Sequence, residues 1–135
     1  MVFTTEDLTI ATKNKQAPSP DQLKDIVVDT LDNNKAEDIV SIDLRGKTSL
    51  ADHMIICTGR SSRQVSALAN KVDEILSQYD YKSRMEGRET GDWVVVDAGD
   101  IVVHIFRPEV REFYKLEKMW QADFDSADHT LYISA

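Results

Sequence analysis

Two short apolar runs, Trp93-Val94-Val95-Val96 and Ile101-Val102-Val103-His104-Ile105-Phe106, constrain this chain more than any other stretch. Both are rich in β-branched and aromatic residues, and they are separated by Asp97-Ala98-Gly99-Asp100, a turn-forming cluster whose glycine can take a positive φ. The pattern predicts a β-hairpin. Neither run alternates apolar with polar residues, so the hairpin is expected inside a sheet with both of its faces covered. Directly afterwards Arg107-Pro108-Glu109 predicts a helix start, since proline suits the first helical position and Glu109 and Glu112 complement the positive end of the helix dipole. Val110, Phe113, Leu116 and Trp120 then fall on one apolar side, with Tyr114 and Met119 off that line.

The remaining elements follow from caps and periodicity. Residues 1–18 are mixed and polar without a sustained period, and are expected to be a flexible N-terminal segment. Ser19-Pro20-Asp21 predicts a helix start, Leu23, Ile26, Val27 and Leu31 its buried stripe, and Asn33-Asn34 its end. Two strands are expected next, one between Asp38 and Leu44 and one at Met54-Ile55-Ile56-Cys57. Ser61 with Gln64 three residues on matches a capping box, and Val65, Leu68, Ala69, Val72 and Ile75 carry a helix to about Gln78. A weaker strand at Lys82 to Met85 leads through a connector, Glu86 to Gly91, expected to be mobile, into the hairpin. The fold class is therefore α/β: one domain over 19–120 with a mixed five-stranded sheet carrying helices, followed by a C-terminal tail at 121–135. That tail contains Leu-Tyr-Ile-Ser, which could pair with a sheet edge in another chain and make a homodimer.

Charge narrows the choice of partner. Sixteen basic against twenty-four acidic residues give a net charge of −8 and a pI near 4.8. That balance disfavours a surface that grips nucleic-acid phosphates directly and suits a basic protein partner. A single cysteine, Cys57, excludes an internal disulfide and fits a reducing compartment, and no paired Cys/His spacing calls for zinc. No run approaches the ~20 apolar residues that a membrane span requires. The expectation is a cytoplasmic protein with no cofactor and no metal.

Several residues invite chemical readings. Cys57-Thr58-Gly59-Arg60-Ser61-Ser62-Arg63 places a cysteine and an arginine around a strand-to-helix turn, as a cysteine phosphatase does, although Ile56 replaces the histidine usual ahead of the nucleophile. The same strand, turn and helix resemble the nucleotidyltransferase fold. The following strand, Lys82-Ser83-Arg84-Met85-Glu86, lacks the paired carboxylates which hold two metal ions there. Asp97 and Asp100 read first as turn caps. His104, mid-strand between two apolar residues, suits a core or partner-facing role in the absence of a nearby nucleophile. Trp93, Tyr114, Met119 and Trp120 could serve either a core or a binding hot spot.

Three blocks carry a resemblance that decides among these: DIVSIDLRGKTSLADHMIICTG, SSRQVSALANKV and GDWVVVDAGDIVVHIFRPEVREFYKLEKMW. From about Ala36 to Trp120 the chain resembles the ribosomal silencing factors, the Iojap-related proteins of bacteria and organelles. The resemblance implies a small α/β domain related in topology to nucleotidyltransferases, without catalysis. It also implies binding to the large ribosomal subunit through the fourteenth protein of that subunit, blocking joining of the small subunit and repressing translation. Carried over residue by residue, the family's partner surface would fall on Trp93, Asp97, Asp100, His104, Tyr114, Leu116, Glu117 and Trp120. The tail after Trp120 departs from the shorter members.

Overall fold

The computed structural model describes residues 17–114, with side chains as far as Arg111. The elements run α1 (Pro20–Asn33), β1 (Glu37–Asp43), β2 (His53–Thr58), α2 (Ser62–Gln78), β3 (Arg84–Glu86), β4 (Trp93–Asp97), β5 (Ile101–Phe106) and α3 (Pro108–Tyr114). The strands form one sheet in the order β1-β2-β5-β4-β3. Only β2 and β5 pair in parallel; β1–β2, β5–β4 and β4–β3 are antiparallel. The mixed five-stranded α/β sheet and the order of elements match the sequence reading.

Both long helices begin on a serine, but the two caps differ. At Ser19 the box is complete: its hydroxyl accepts from the Gln22 amide at 3.2 Å while its own amide donates to Gln22 Oε1 at 3.0 Å. At Ser61 the hydroxyl accepts from the Gln64 amide at 3.1 Å, yet Gln64 Oε1 takes the Arg60 amide instead, at 2.7 Å. The box expected at Ser61 is thus half made, because its glutamine reaches one residue further back. Asn33–Asn34 end α1 as expected, the Asn34 amide side chain bonding to the Thr30 carbonyl at 2.8 Å.

One face of the sheet holds the main core. Leu23, Val27 and Leu31 of α1 and Val65, Leu68, Ala69, Val72 and Leu76 of α2 pack on Ile55, Cys57, Val94, Val96, Ile101, Val103 and Ile105. At ~1.5–3 kcal/mol for each fully buried aliphatic side chain, this layer is the principal source of stability. The opposite face is built by the residues of alternate parity, and a smaller cluster of Ile42, Leu44, Ala51, Met54, Ile56 and Phe106 gathers there with Val40, Trp93, Val102 and Val110. Burial along the hairpin therefore alternates: Val94, Val96, Ile101, Val103 and Ile105 are sealed, whereas Trp93, Val95, Val102 and His104 are half-buried. This corrects the expectation of a hairpin covered on both faces. The outward positions carry apolar side chains without being fully enclosed.

α3 is fastened across the end of that second face. Val110 joins the smaller cluster, and the Arg111 guanidinium donates from Nη1 to both the Asp38 carbonyl and Thr58 Oγ1, each at 2.7 Å. The Asp38 carbonyl is available because β1 is irregular between Glu37 and Val40, with Asp38 at φ +50°. The connector expected to be mobile is tied down as well. Gly91 N bonds to Gly87 O at 3.1 Å, Ser66 of α2 donates to the Arg88 carbonyl at 3.3 Å, and Arg107 N bonds to Asp92 O at 3.0 Å. Gly87 has φ +90°, and a Cβ there would lie 2.1 Å from the Trp93 carbonyl oxygen, so the chain passes β4 at a distance only glycine permits.

Candidate functional site on the outer sheet face

The register places the second-face residues in rows. Arg84, Asp97, Val102, Met54 and Ile42 lie side by side across five strands; Glu86, Val95, His104, Ile56 and Val40 form the next row; Trp93 and Phe106 close the face toward α3. In an antiparallel pair, diagonal neighbours on one face are near enough for large side chains to meet. Trp93 lies opposite Phe106 and diagonal to His104, and all three rings meet. Ring centroids are 4.8 Å apart for Trp93–Phe106, 5.9 Å for Trp93–His104 and 6.0 Å for His104–Phe106.

Trp93 Nε1 donates to His104 Nδ1 at 3.0 Å. An indole N–H is a donor only, so His104 Nδ1 must carry a lone pair and the proton of the neutral ring sits on Nε2. Burial pushes the His104 pKa down from 6.5 to about 4, outweighing the nearby Asp97 carboxylate, which pulls the other way. At neutral pH the pair is uncharged. Around it the charges are dense and mixed: Asp97 with Arg84 at 4.0 Å, and Arg107 with Asp92 at 3.4 Å and with Glu109. The Arg107–Asp92 approach is an ion pair without hydrogen-bond geometry, since Arg107 Nε is buried with no hydrogen-bond partner.

The residues singled out from the sequence divide into three groups. Trp93 and His104 are brought together on this face. Asp97 and Asp100 lie at the far end of the hairpin, where Asp97 Oδ1 accepts the Gly99 amide at 2.9 Å and Gly99 takes φ +89°, so Asp97 caps the turn as its spacing predicts. The Asp100 carbonyl accepts the amides of Asp52 and His53 at 2.8 and 3.2 Å, tying the hairpin turn to the start of β2. Tyr114 ends α3, and its side chain lies outside the described residues, as do Leu116, Glu117 and Trp120. Val95 and Val102 share the face and were missed from the sequence. Counting back from the turn so that Asp97 pairs with Val102 would have found them, and the Trp93–His104 diagonal too. Leu50, 77% exposed beside the turn end of the sheet, is a further apolar side chain the sequence did not single out.

The phosphatase-like run does not assemble. Cys57 is completely buried beneath α1 and α2, and desolvation pushes its thiol pKa up to about 12, the reverse of what a nucleophilic thiolate needs. Arg63 is exposed on α2. The other histidine in β2, His53, is also buried, its Nε2 2.7 Å from Asp21 Oδ1 at the start of α1. That contact, with the Arg45 guanidinium 3.1 Å from Asp21 and 2.8 Å from Asp43, pins α1 to the head of β2. No helix among the described residues is long and apolar enough to cross a membrane.

Comparison with known proteins agrees with this geometry. The family described as "Ribosomal silencing factor during starvation" matches residues 16–132. A ribosomal silencing factor of Zymomonas mobilis is 51% identical over 109 residues, covering 80% of this chain and 82% of that protein. The mouse protein named "Mitochondrial assembly of ribosomal large subunit protein 1" is 32% identical over 100 residues, covering 71% of this chain and 44% of its own length. Among solved structures, a Chromobacterium violaceum protein superposes with a TM-score of 0.75 at 39% identity, covering 78% of this chain and 89% of that one. A Bacillus halodurans protein gives 0.68 at 36% identity, covering 74% and 94% respectively. Sequence blocks, sheet order and these relatives agree: the chain belongs to the ribosomal silencing factor family.

Proposed function

We propose that this protein represses translation by occupying the large ribosomal subunit, through the fourteenth protein of that subunit, where the small subunit would otherwise dock. The mechanism is steric and makes or breaks no covalent bond. One observation carries the choice of surface: Trp93, a large amphipathic side chain, is left half-buried on a sheet face that also carries ion-paired charge, Asp92 and Glu109 with Arg107 at its end of the hairpin and Asp97 with Arg84 at the other. A partly exposed aromatic anchor with charged neighbours is the usual make-up of a binding hot spot. The net charge of −8 favours a basic protein patch over the surrounding RNA. On this reading the Asp97–Asp100 turn belongs to the same contact, and Tyr114, Leu116, Glu117 and Trp120 are assigned to it from the family resemblance alone. The name of the mouse relative, which refers to the large subunit, points in the same direction.

The test is cosedimentation with purified large subunits, repeated with Trp93→Glu and over a range of salt. Wild-type protein is expected to travel with the subunits, Trp93→Glu to remain in the supernatant, and binding to weaken as salt screens the charges. Addition of wild-type protein is further expected to reduce the yield of joined ribosomes from purified subunits. Failure of the wild type to cosediment would sink the reading.

A further inference from the structure

We infer that His104 is a positioning residue for Trp93, and that the pair offers the His104 Nε2–H as a hydrogen-bond donor to an acceptor, a backbone carbonyl or carboxylate, on the protein partner. The docking half rests on the function proposed above; the positioning half does not. A tryptophan at a half-open surface has two rotatable side-chain bonds, and an anchor that must be ordered on binding loses affinity to that ordering. Here both degrees of freedom are already restricted. The Trp93 ring packs on Phe106 at a tilt of 35°, with centroids 4.8 Å apart, and its indole N–H is held by His104 Nδ1 at 3.0 Å. His104 is itself fixed: its strand is central, between β2 and β4, and its ring lies nearly parallel to Phe106, with 11° between planes.

The hydrogen bond has a second effect. By claiming the Nδ1 lone pair it forces the proton to Nε2 and makes the remaining edge of the imidazole a donor, never an acceptor. Among the described residues nothing bonds to Nε2, and His104 is half-buried on the outer face of the sheet, not sealed in the core. A partner that buries this face must place an acceptor there, because a buried donor left unmatched costs affinity. An acidic domain meeting a basic partner through carboxylates thus carries one contact of opposite sense at its centre.

The experiment uses the full chain labelled with 15N. In wild type, a 15N–15N coupling between Trp93 Nε1 and His104 Nδ1 across the hydrogen bond, and imidazole shifts of the Nε2–H tautomer, are expected without any substitution. The Trp93 indole resonance, assigned with Trp93→Phe, is expected to move in His104→Phe and to return part of the way in His104→Gln, whose side-chain oxygen can accept. Binding to purified large subunits is expected to fall about tenfold in His104→Phe and to recover partly in His104→Gln, a graded response that the loss of ring packing would not give. Absence of the coupling together with an indole signal indifferent to His104→Phe overturns the positioning role. A displaced indole signal with unchanged subunit binding overturns the docking role. Wild-type protein that does not bind subunits at all overturns the proposed function and the docking half with it, while the coupling still decides the positioning half.

Discussion

Replacing His104 by Gln should flatten the acid limb of the stability curve. His104 is held neutral in the folded chain, with a pKa lowered from 6.5 to about 4 by burial. Well above pH 6.5 both folded and unfolded chains carry a neutral ring and the full stability is present. As pH falls from there toward 4, the unfolded chain takes up a proton that the folded chain refuses, so stability is lost; below that range both are protonated and the loss stops. A tenfold difference in proton affinity between the two states corresponds to ~1.4 kcal/mol, which sets a ceiling of about 3 kcal/mol, most of it lost between about pH 7.5 and about pH 4.5. Partial solvent access to the ring makes this an upper bound. Asp21 and Asp43 are held below the usual carboxylate range, Asp21 by its hydrogen bond to His53 and Asp43 by Arg45, so they act at lower pH and are common to both proteins. Equilibrium urea unfolding followed by circular dichroism at the two pH values measures the effect. The difference between wild type and His104→Gln is expected to shrink by about 1–3 kcal/mol on acidification. A difference that stays constant across the range would show that the imidazole is not held neutral, and the tautomer argument would go with it.

Gly87→Ala is expected to cost more than ~2 kcal/mol in urea unfolding, since it places a Cβ 2.1 Å from the Trp93 carbonyl at φ +90°; a loss below ~0.5 kcal/mol would contradict the close approach. Native Cys57 is expected to resist a thiol-labelling reagent until urea is added, because the side chain is fully enclosed and its pKa raised to about 12; rapid stoichiometric labelling of the folded chain would contradict that burial. Ser19→Ala is expected to lower stability by ~1 kcal/mol and Tm by several degrees, through loss of a complete capping box, and an unchanged Tm would mean that α1 does not depend on its cap.

The parts of the fold legible in the sequence were those governed by local physics. Serine caps, the Val65-Leu68-Ala69-Val72 stripe and the Asp97–Asp100 turn fix their elements within a few residues, and the structure places them as read. Burial of the hairpin was harder, because Val95 and Val102 have the composition of core residues while standing on the less enclosed face. Their surroundings depend on which elements cover that face, and no window of sequence contains that information. The connector from Glu86 to Gly91 reads as a loose loop from composition, yet Arg88 within it is bonded by Ser66 of α2, an element distant in sequence. The family resemblance identified Trp93 and His104 as separate candidates. Their pairing was latent in the hairpin register and emerged only when the strands were aligned.

The irregularity at Asp38 and the brevity of β3 bear on how two such molecules could associate. A strand approaching β1 from outside would meet a broken ladder where Asp38 turns its carbonyl to Arg111, and one approaching β3 would find three residues, two of them the charged Arg84 and Glu86. Neither margin is a good template for adding a strand. Self-association by sheet extension is thereby discouraged, leaving the broad side that bears Trp93 as the more adhesive part of the sheet. If that side meets the ribosome as proposed, two copies that met there would hide it, so pairing and silencing would compete for the same ground.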